Sequence, residues 1–408
     1  MQQSTTPSAS VHNLALDMMR ALAMVLMITV NHFWTATGIP HWMHHAEATE
    51  DMLGLSDIVF PLFLFAMGMS IPYAIDNRYR RGEAERSILS HVITRSVTLL
   101  LMGAFICHSE YGIDPSLSGY DHDVYSLVMV FAFFLLWHKP SGSRPMVHRG
   151  CQIAGALMLC VLACTARNPE GGVFAAHWWG ILGLIGWTYL VCGLIYFFLR
   201  TRKAALCLVL LVFLAVNVLT TPMGDIEGGQ RLLALPWPNF LSEVLSVLHM
   251  DNCGLVSLGM GGVLLTVFTR EWTGKLDLRR TLALLGAAAV LLVVGIASHS
   301  VFIVSKIYAT APWVLFVMSI AVALYTLLSL LVQRGWTQWF RPLAPAGTAT
   351  LTCYMLPYAY YALATMLGLH MPAWLEPFPI GALQCLCFSL LCVFTAYLLG
   401  KAGIKLKI

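Results

Sequence analysis

Long hydrocarbon-like runs constrain this chain more than any other feature. Mainly apolar segments of about 17 to 23 residues return from one end to the other, the length that crosses a bilayer core as helix. Their rough limits are 14–34, 53–75, 88–107, 124–138, 150–165, 179–199, 203–220, 253–269, 281–298, 311–331, 344–367 and 379–400. In lipid every backbone N–H and C=O must be bonded within the segment, so runs of this kind are helices. Composition agrees. The chain is 58% hydrophobic and 11% charged, whereas soluble domains carry about 25% charged residues. The expected fold is an all-α polytopic integral membrane protein with about 11 to 12 transmembrane helices. Three runs (124–138, 150–165 and 253–269) are short for a span. The start, MQQSTTPSASVHNLALDMMR, lacks a basic n-region, and no small-residue cleavage site follows. The first run is therefore expected to stay in the mature protein.

The basic residues set an orientation. Nineteen of the 24 lysines and arginines fall in loops after even-numbered runs or in the tail, and only Arg167, Arg231 and Lys306 fall on the opposite side. Arg20 and Arg95 sit near the ends of the first and third runs. By the positive-inside rule both termini are expected to be cytoplasmic. The opposite side collects titratable groups: His32, His41, His44, His45, His108, His122, His177, His249, His299 and His370. Acids join them, among them Glu47, Glu50, Asp51, Asp57, Glu110, Asp225, Glu227, Glu243 and Asp251. Solvation of long external loops accounts for such a bias; so does an acidic, histidine-bearing vestibule for a polar, cationic substrate. The eleven cysteines lie nearly all in apolar runs without CxxC spacing. They read as small core hydrophobes. No metal site and no nucleic-acid partner is expected.

Two stretches carry candidate chemistry. In LALDMMRALAMVLMITVNHFW, Asp17 and Arg20 are three apart and share a helix face. They read either as a helix-start carboxylate with a snorkelling arginine or as an anion site near the cytoplasmic surface, with Arg95 beside it. Asn31 and His32 end the same run. The second stretch, HHAEATEDMLGLSDIVFPLF (44–63), sets two histidines and four carboxylates against an apolar segment. Ser56 or Asp57 can cap the following helix, with Pro61 in its first turn. Asp57 can equally fix a neighbouring histidine in one tautomer.

These residues resemble a known family. LDMMRALAMVLMITVN (16–31), then HHAE (44–47), then LSDIVFPLFLFAMGMSI (55–71) is similar to the catalytic domain of heparan-α-glucosaminide N-acetyltransferase and its bacterial relatives. That family carries an LDxxRG start, a VN at the end of the first span, a histidine with a small residue after it, and a DLVFPxFLFxxGxS run. Weaker likenesses lie at HMDNCGLVSLGMGGVLL (249–265), SKIYATAPWVLFVMSIAVAL (305–324) and PAGTATLTCYML (345–356). Ala21, Asn252, Cys253, Ser305 and Ala349 depart from the family pattern. The resemblance implies one transmembrane acyltransferase domain over 1–408. It has a motif-bearing part at 14–107, a less recognisable middle at 110–240 and C-terminal helices at 253–400.

The implied activity moves an acetyl group from cytoplasmic acetyl-CoA to the amine of a glucosamine-like sugar on the periplasmic or exoplasmic side. The implied setting is a bacterial inner membrane, and a homodimer is compatible with it. The histidine matching His45 is the family's catalytic residue, and the asparagine matching Asn31 belongs to its active site. Elementary chemistry agrees: an imidazole of pKa near about 6.5 suits deprotonation of an attacking amine, and an amide can donate to the tetrahedral oxyanion. Acetylation of the histidine itself is an equally open route. His44, Glu47, Asp251, His299 and Lys306 are expected to line the acceptor vestibule. Arg20, Asp17 and Arg95 are expected near the donor.

Two other readings compete. Membrane O-acyltransferases of cell-surface polysaccharide also begin LDxxRG, with a histidine about fourteen residues after the Asp; here that position is Asn31, and His32 follows it. A sugar or organic-ion transporter also fits about twelve spans with charged residues inside them, although no inverted repeat or matched pair of broken spans is visible.

Overall fold

The structure, a computed structural model, describes residues 13–138, 145–224, 229–232, 251–272 and 276–406. His249, Asp225, Glu227 and Glu243 lie outside the described residues, as does the start of the 249–265 segment.

Among the described residues, twelve long helices occupy the twelve apolar runs: α1 (Leu14–Asn31), α2 (Leu55–Arg80), α3 (Glu85–Glu110), α4 (His122–Trp137), α5 (Pro145–Thr165), α6 (Gly180–Leu199), α7 (Lys203–Thr220), α8 (Gly254–Thr269), α9 (Leu278–His299), α10 (Ala311–Gln333), α11 (Thr350–Met366) and α12 (Ile380–Lys401). Nine of these are long and apolar enough to cross a membrane, and α4 and α8 are shorter apolar helices. The chain is an all-α polytopic integral membrane protein.

Three sequence expectations change. The run at 150–165 belongs to a 21-residue helix that starts at Pro145; polar His148 and Arg149 end the apolar run but not the helix. The run at 344–367 is two helices, Ala344–Thr348 and α11, broken at Ala349 (φ −122°, ψ 38°). Pro61 is not in a first turn. Gly54 is the N-cap of α2, so Pro61 is the seventh residue of the helix.

Helix α1 lies at the centre, packed against α2, α10, α11, α12 and the short helix 344–348. Asn13 caps it through Oδ1, which accepts from the Leu16 N–H at 3.1 Å, and Asp17 in its first turn suits the helix dipole. Packing in lipid relies on small residues that let backbones approach. A Cβ on Gly68 of α2 would overlap the carbonyl of Gly259 on α8, and one on Gly262 of α8 would overlap the carbonyl of Phe65. Thr266 Oγ1 closes this seam by donating to the Met69 carbonyl at 2.9 Å. Helices α5, α7 and α9 keep most of their apolar side chains on the outside.

Candidate active site

The segment between α1 and α2 folds back over the end of the bundle. Its path depends on Gly54, where a Cβ would overlap the His44 carbonyl oxygen. Asp57, at the third helical position, accepts from the Gly54 N–H at 3.3 Å, the one half of a capping box that a glycine N-cap allows. The same Oδ2 accepts from the Ala46 N–H at 3.0 Å. These bonds pin residues 44–46 to the start of α2. Gly54→Ala is therefore expected to destabilise the protein by about 1–3 kcal/mol, read as a lower thermal midpoint in detergent; an unchanged midpoint would show that the loop is free to move aside.

The result is a charged cluster. His45 Nδ1 lies 2.9 Å from Asp57 Oδ1, and Lys306 Nζ lies 2.8 Å from His45 Nδ1 and 3.4 Å from Asp57 Oδ1. Asp57 is 1% exposed, while the His45 side chain is 46% exposed. Nδ1 can serve one partner at a time. Donating to the buried carboxylate, it leaves the Nε2 lone pair outward, and Lys306 then balances the charge of Asp57. Burial pulls the Lys306 ammonium below the usual lysine value, and the Asp57 carboxylate opposes that pull without cancelling it.

Lys306 reaches the cluster because the 300–310 segment docks on the His45 segment. Asp51 pairs with His299 Nε2 at 2.9 Å and accepts from the Val304 N–H at 2.8 Å. Ser305 Oγ donates to the Ala48 carbonyl at 2.9 Å. His299 is thus a clamp between two loops. Neither it nor Glu47 lines the cavity described next, in contrast to the sequence expectation. Both are exposed, and the docking of the two loops turns the His299 ring to Asp51.

A cavity of about 1030 Å³ opens before His45. Asn31, His44, Ser56, Asp251 and Lys306 line it, together with Trp34, Trp178, Tyr308, Tyr354, Tyr358 and Tyr361. The Asn31 carboxamide makes no side-chain hydrogen bond among the described residues, so it is free to donate into this space. Glu110, at the end of α3, also faces it, accepting from Tyr358 at 3.1 Å. The aromatic wall escaped the sequence reading. The spacing of Tyr354, Tyr358 and Tyr361 on α11 marks one helix face and was the available signal.

His32 faces away. It stacks on Phe388 with Tyr361 beside it, and its two ring nitrogens are engaged by the Tyr361 hydroxyl and by Gln384, each at 2.9 Å. The Gln384 amide donates to Nε2, which leaves Nδ1–H to donate to the tyrosine. His41 is taken by Glu50.

A second cavity of about 380 Å³ is lined by Arg20, Arg95, Ser70, Tyr189, Lys405 and the Thr348–Leu351 break. Arg20 donates to Thr350 Oγ1 at 3.1 Å and pairs with Asp17 at 3.7 Å. The Arg95 guanidinium lies over the Tyr189 ring, and its Nε is buried without a hydrogen-bond partner among the described residues. Such a group suits an anionic guest. The two cavities abut: Met27, Ile181 and Tyr354 are wall residues of both. Helix α1 runs alongside, carrying Arg20 on one cavity and Asn31 on the other, about 16 Å apart along its axis.

Fold and site together define a class: a helical integral membrane protein with a carboxylate-backed histidine on one cavity and two guanidinium groups on the next. Residues 12–226, just over half of the chain, match the family described as domain of unknown function (DUF5009). The chain belongs to that family. It is also similar to the heparan-alpha-glucosaminide N-acetyltransferases of Mus musculus (31% identical over 114 residues) and Homo sapiens (31% over 101 residues). Those stretches cover 28% and 25% of this chain, and 17% and 14% of the relatives' own length.

Proposed function

We propose that this protein is a transmembrane acetyltransferase that takes an acetyl group from cytoplasmic acetyl-CoA and delivers it to the amine of a glucosamine-like sugar on the exoplasmic side. One observation carries the reading: a histidine backed by a buried carboxylate stands on a roomy aromatic cavity that abuts a smaller, arginine-lined one. The similarity to two named N-acetyltransferases supports it.

Arg20 and Arg95, with Lys405, offer charge to the phosphates of the donor, and the thioester reaches past Met27, Ile181 and Tyr354. His45 Nε2 takes a proton from the acceptor amine as its nitrogen attacks the thioester carbonyl. Asn31 donates to the developing oxyanion. Collapse breaks the C–S bond, and the imidazolium returns its proton to the departing thiolate. Asp57 holds the ring and stabilises the imidazolium. The carboxylates Glu110 and Asp251 and the aromatic wall suit an amino sugar that arrives as the ammonium and releases one proton to solvent before the neutral amine attacks, since tyrosine and tryptophan present an apolar face beside a polar tip.

The test is transfer from radiolabelled acetyl-CoA by detergent-purified protein, with glucosamine or N-acetylglucosamine as acceptor. Label in N-acetylglucosamine formed from glucosamine is the expected result. Label only in an ester of N-acetylglucosamine would replace amine transfer by hydroxyl transfer, and no label in either sugar would remove the proposal. Arg20→Ala is expected to raise the KM for acetyl-CoA about tenfold or more, the worth of one charged hydrogen bond, and to leave the acceptor KM alone. The opposite pattern would take Arg20 out of the donor site.

A further inference from the structure

Pro61 sits inside α2, where each N–H donates to the carbonyl four residues back. Proline has no N–H, so the carbonyl it leaves without a helical donor is that of Asp57. This carbonyl is buried, and a buried acceptor left unsatisfied is costly. The structure fills the gap from another helix: Trp313 Nε1–H donates to the Asp57 carbonyl oxygen at 3.2 Å. Trp313 is fully buried in the first turn of α10, seven residues after Lys306.

We propose that Trp313 is a positioning residue for the His45–Asp57–Lys306 cluster, made necessary by Pro61. The indole bond fixes the backbone of Asp57 directly. It also ties the start of α10, and with it the Lys306 loop, to the same residue. The carboxylate that orients His45 and the ammonium that balances it are thus tied by this bond from the helix side, while the Asp51 and Ser305 contacts hold the loop side. Trp313 touches no reacting atom in this scheme and acts through Asp57.

The inference rests on the acetyl transfer proposed above, and the experiment separates the two. Transfer kinetics are measured for the wild type, Trp313→Phe, Pro61→Ala and the double variant. An inactive wild type removes the proposed function. With an active wild type, Trp313→Phe is expected to lower kcat about tenfold to hundredfold, the scale of a small misplacement of catalytic groups, with both KM values within about twofold. In the double variant the Pro61→Ala change restores a backbone N–H at that position and so supplies the missing helical donor. Its kcat is expected to return to within about threefold of that of Pro61→Ala alone. A packing role for the indole predicts no such rescue. A double variant impaired by the product of the two single effects overturns the proposal. Should Trp313→Phe fail to fold, a folded and active double variant is the expected result, and a double variant that also fails to fold overturns it.

Discussion

His45→Ala should lower acetyl transfer by about 10²–10⁴-fold, the usual worth of a general base, and leave the purified protein folded. The ring is 46% exposed on the cavity side. Its removal does not strand a buried charge, because Lys306 and Asp57 remain 3.4 Å apart and keep each other as partners. A change in melting temperature of less than a few degrees should therefore accompany a near-complete loss of labelled product. His44→Ala is the matched control. His44 lines the same cavity but stacks edge-on against Phe33 and has no carboxylate behind it among the described residues. Its loss should cost far less. If His45→Ala keeps more than about a third of wild-type turnover, the base lies elsewhere and the mechanism above fails.

Asp57→Ala should damage stability and activity together. The carboxylate is 1% exposed and accepts from two backbone amides while facing His45 and Lys306. Removing it unpins residues 44–46, takes the acceptor from the Gly54 N–H and leaves the half-buried lysine without its counter-charge. Breaking such a pair from one side costs about 3 kcal/mol or more. Lys306→Met in the same background separates the two losses. The double variant should recover much of the thermal stability, since the uncompensated charge is gone, and should remain inactive, since nothing orients His45. Activity returning with stability would show that Asp57 serves only the fold.

Several of these parts were legible in the sequence. Each of the twelve apolar runs holds one long helix among the described residues, because hydropathy over about 20 residues is a local property that lipid enforces regardless of neighbours. Asp17 and Arg20 share a face because a helix dictates it. His45 and Asp57 lie twelve residues apart within one loop and helix start, so their pairing was open to a local reading. Lys306 was expected on the vestibule and lines it, but its pairing with Asp57, like that of Trp313, was not legible, since each meets Asp57 across about 250 residues of chain. Glu47 and His299 carry the right chemistry for the vestibule and yet do not line it, because the direction of a loop side chain is set by what the loop docks on. Pro61 is the instructive case. Its presence was plain, but the consequence of its missing N–H depends on where the helix begins and on which donor stands opposite.

The sequence by itself determined that the chain spans a membrane as helices and that one end concentrates imidazoles and carboxylates, because both follow from residue type summed along short stretches. Only the tertiary structure decided which histidine is backed by a buried carboxylate, which is locked against aromatic rings, and that two cavities share a wall. Those outcomes hinge on helix packing at glycine contacts and on loops docking across the chain, and no local sum of propensities contains them.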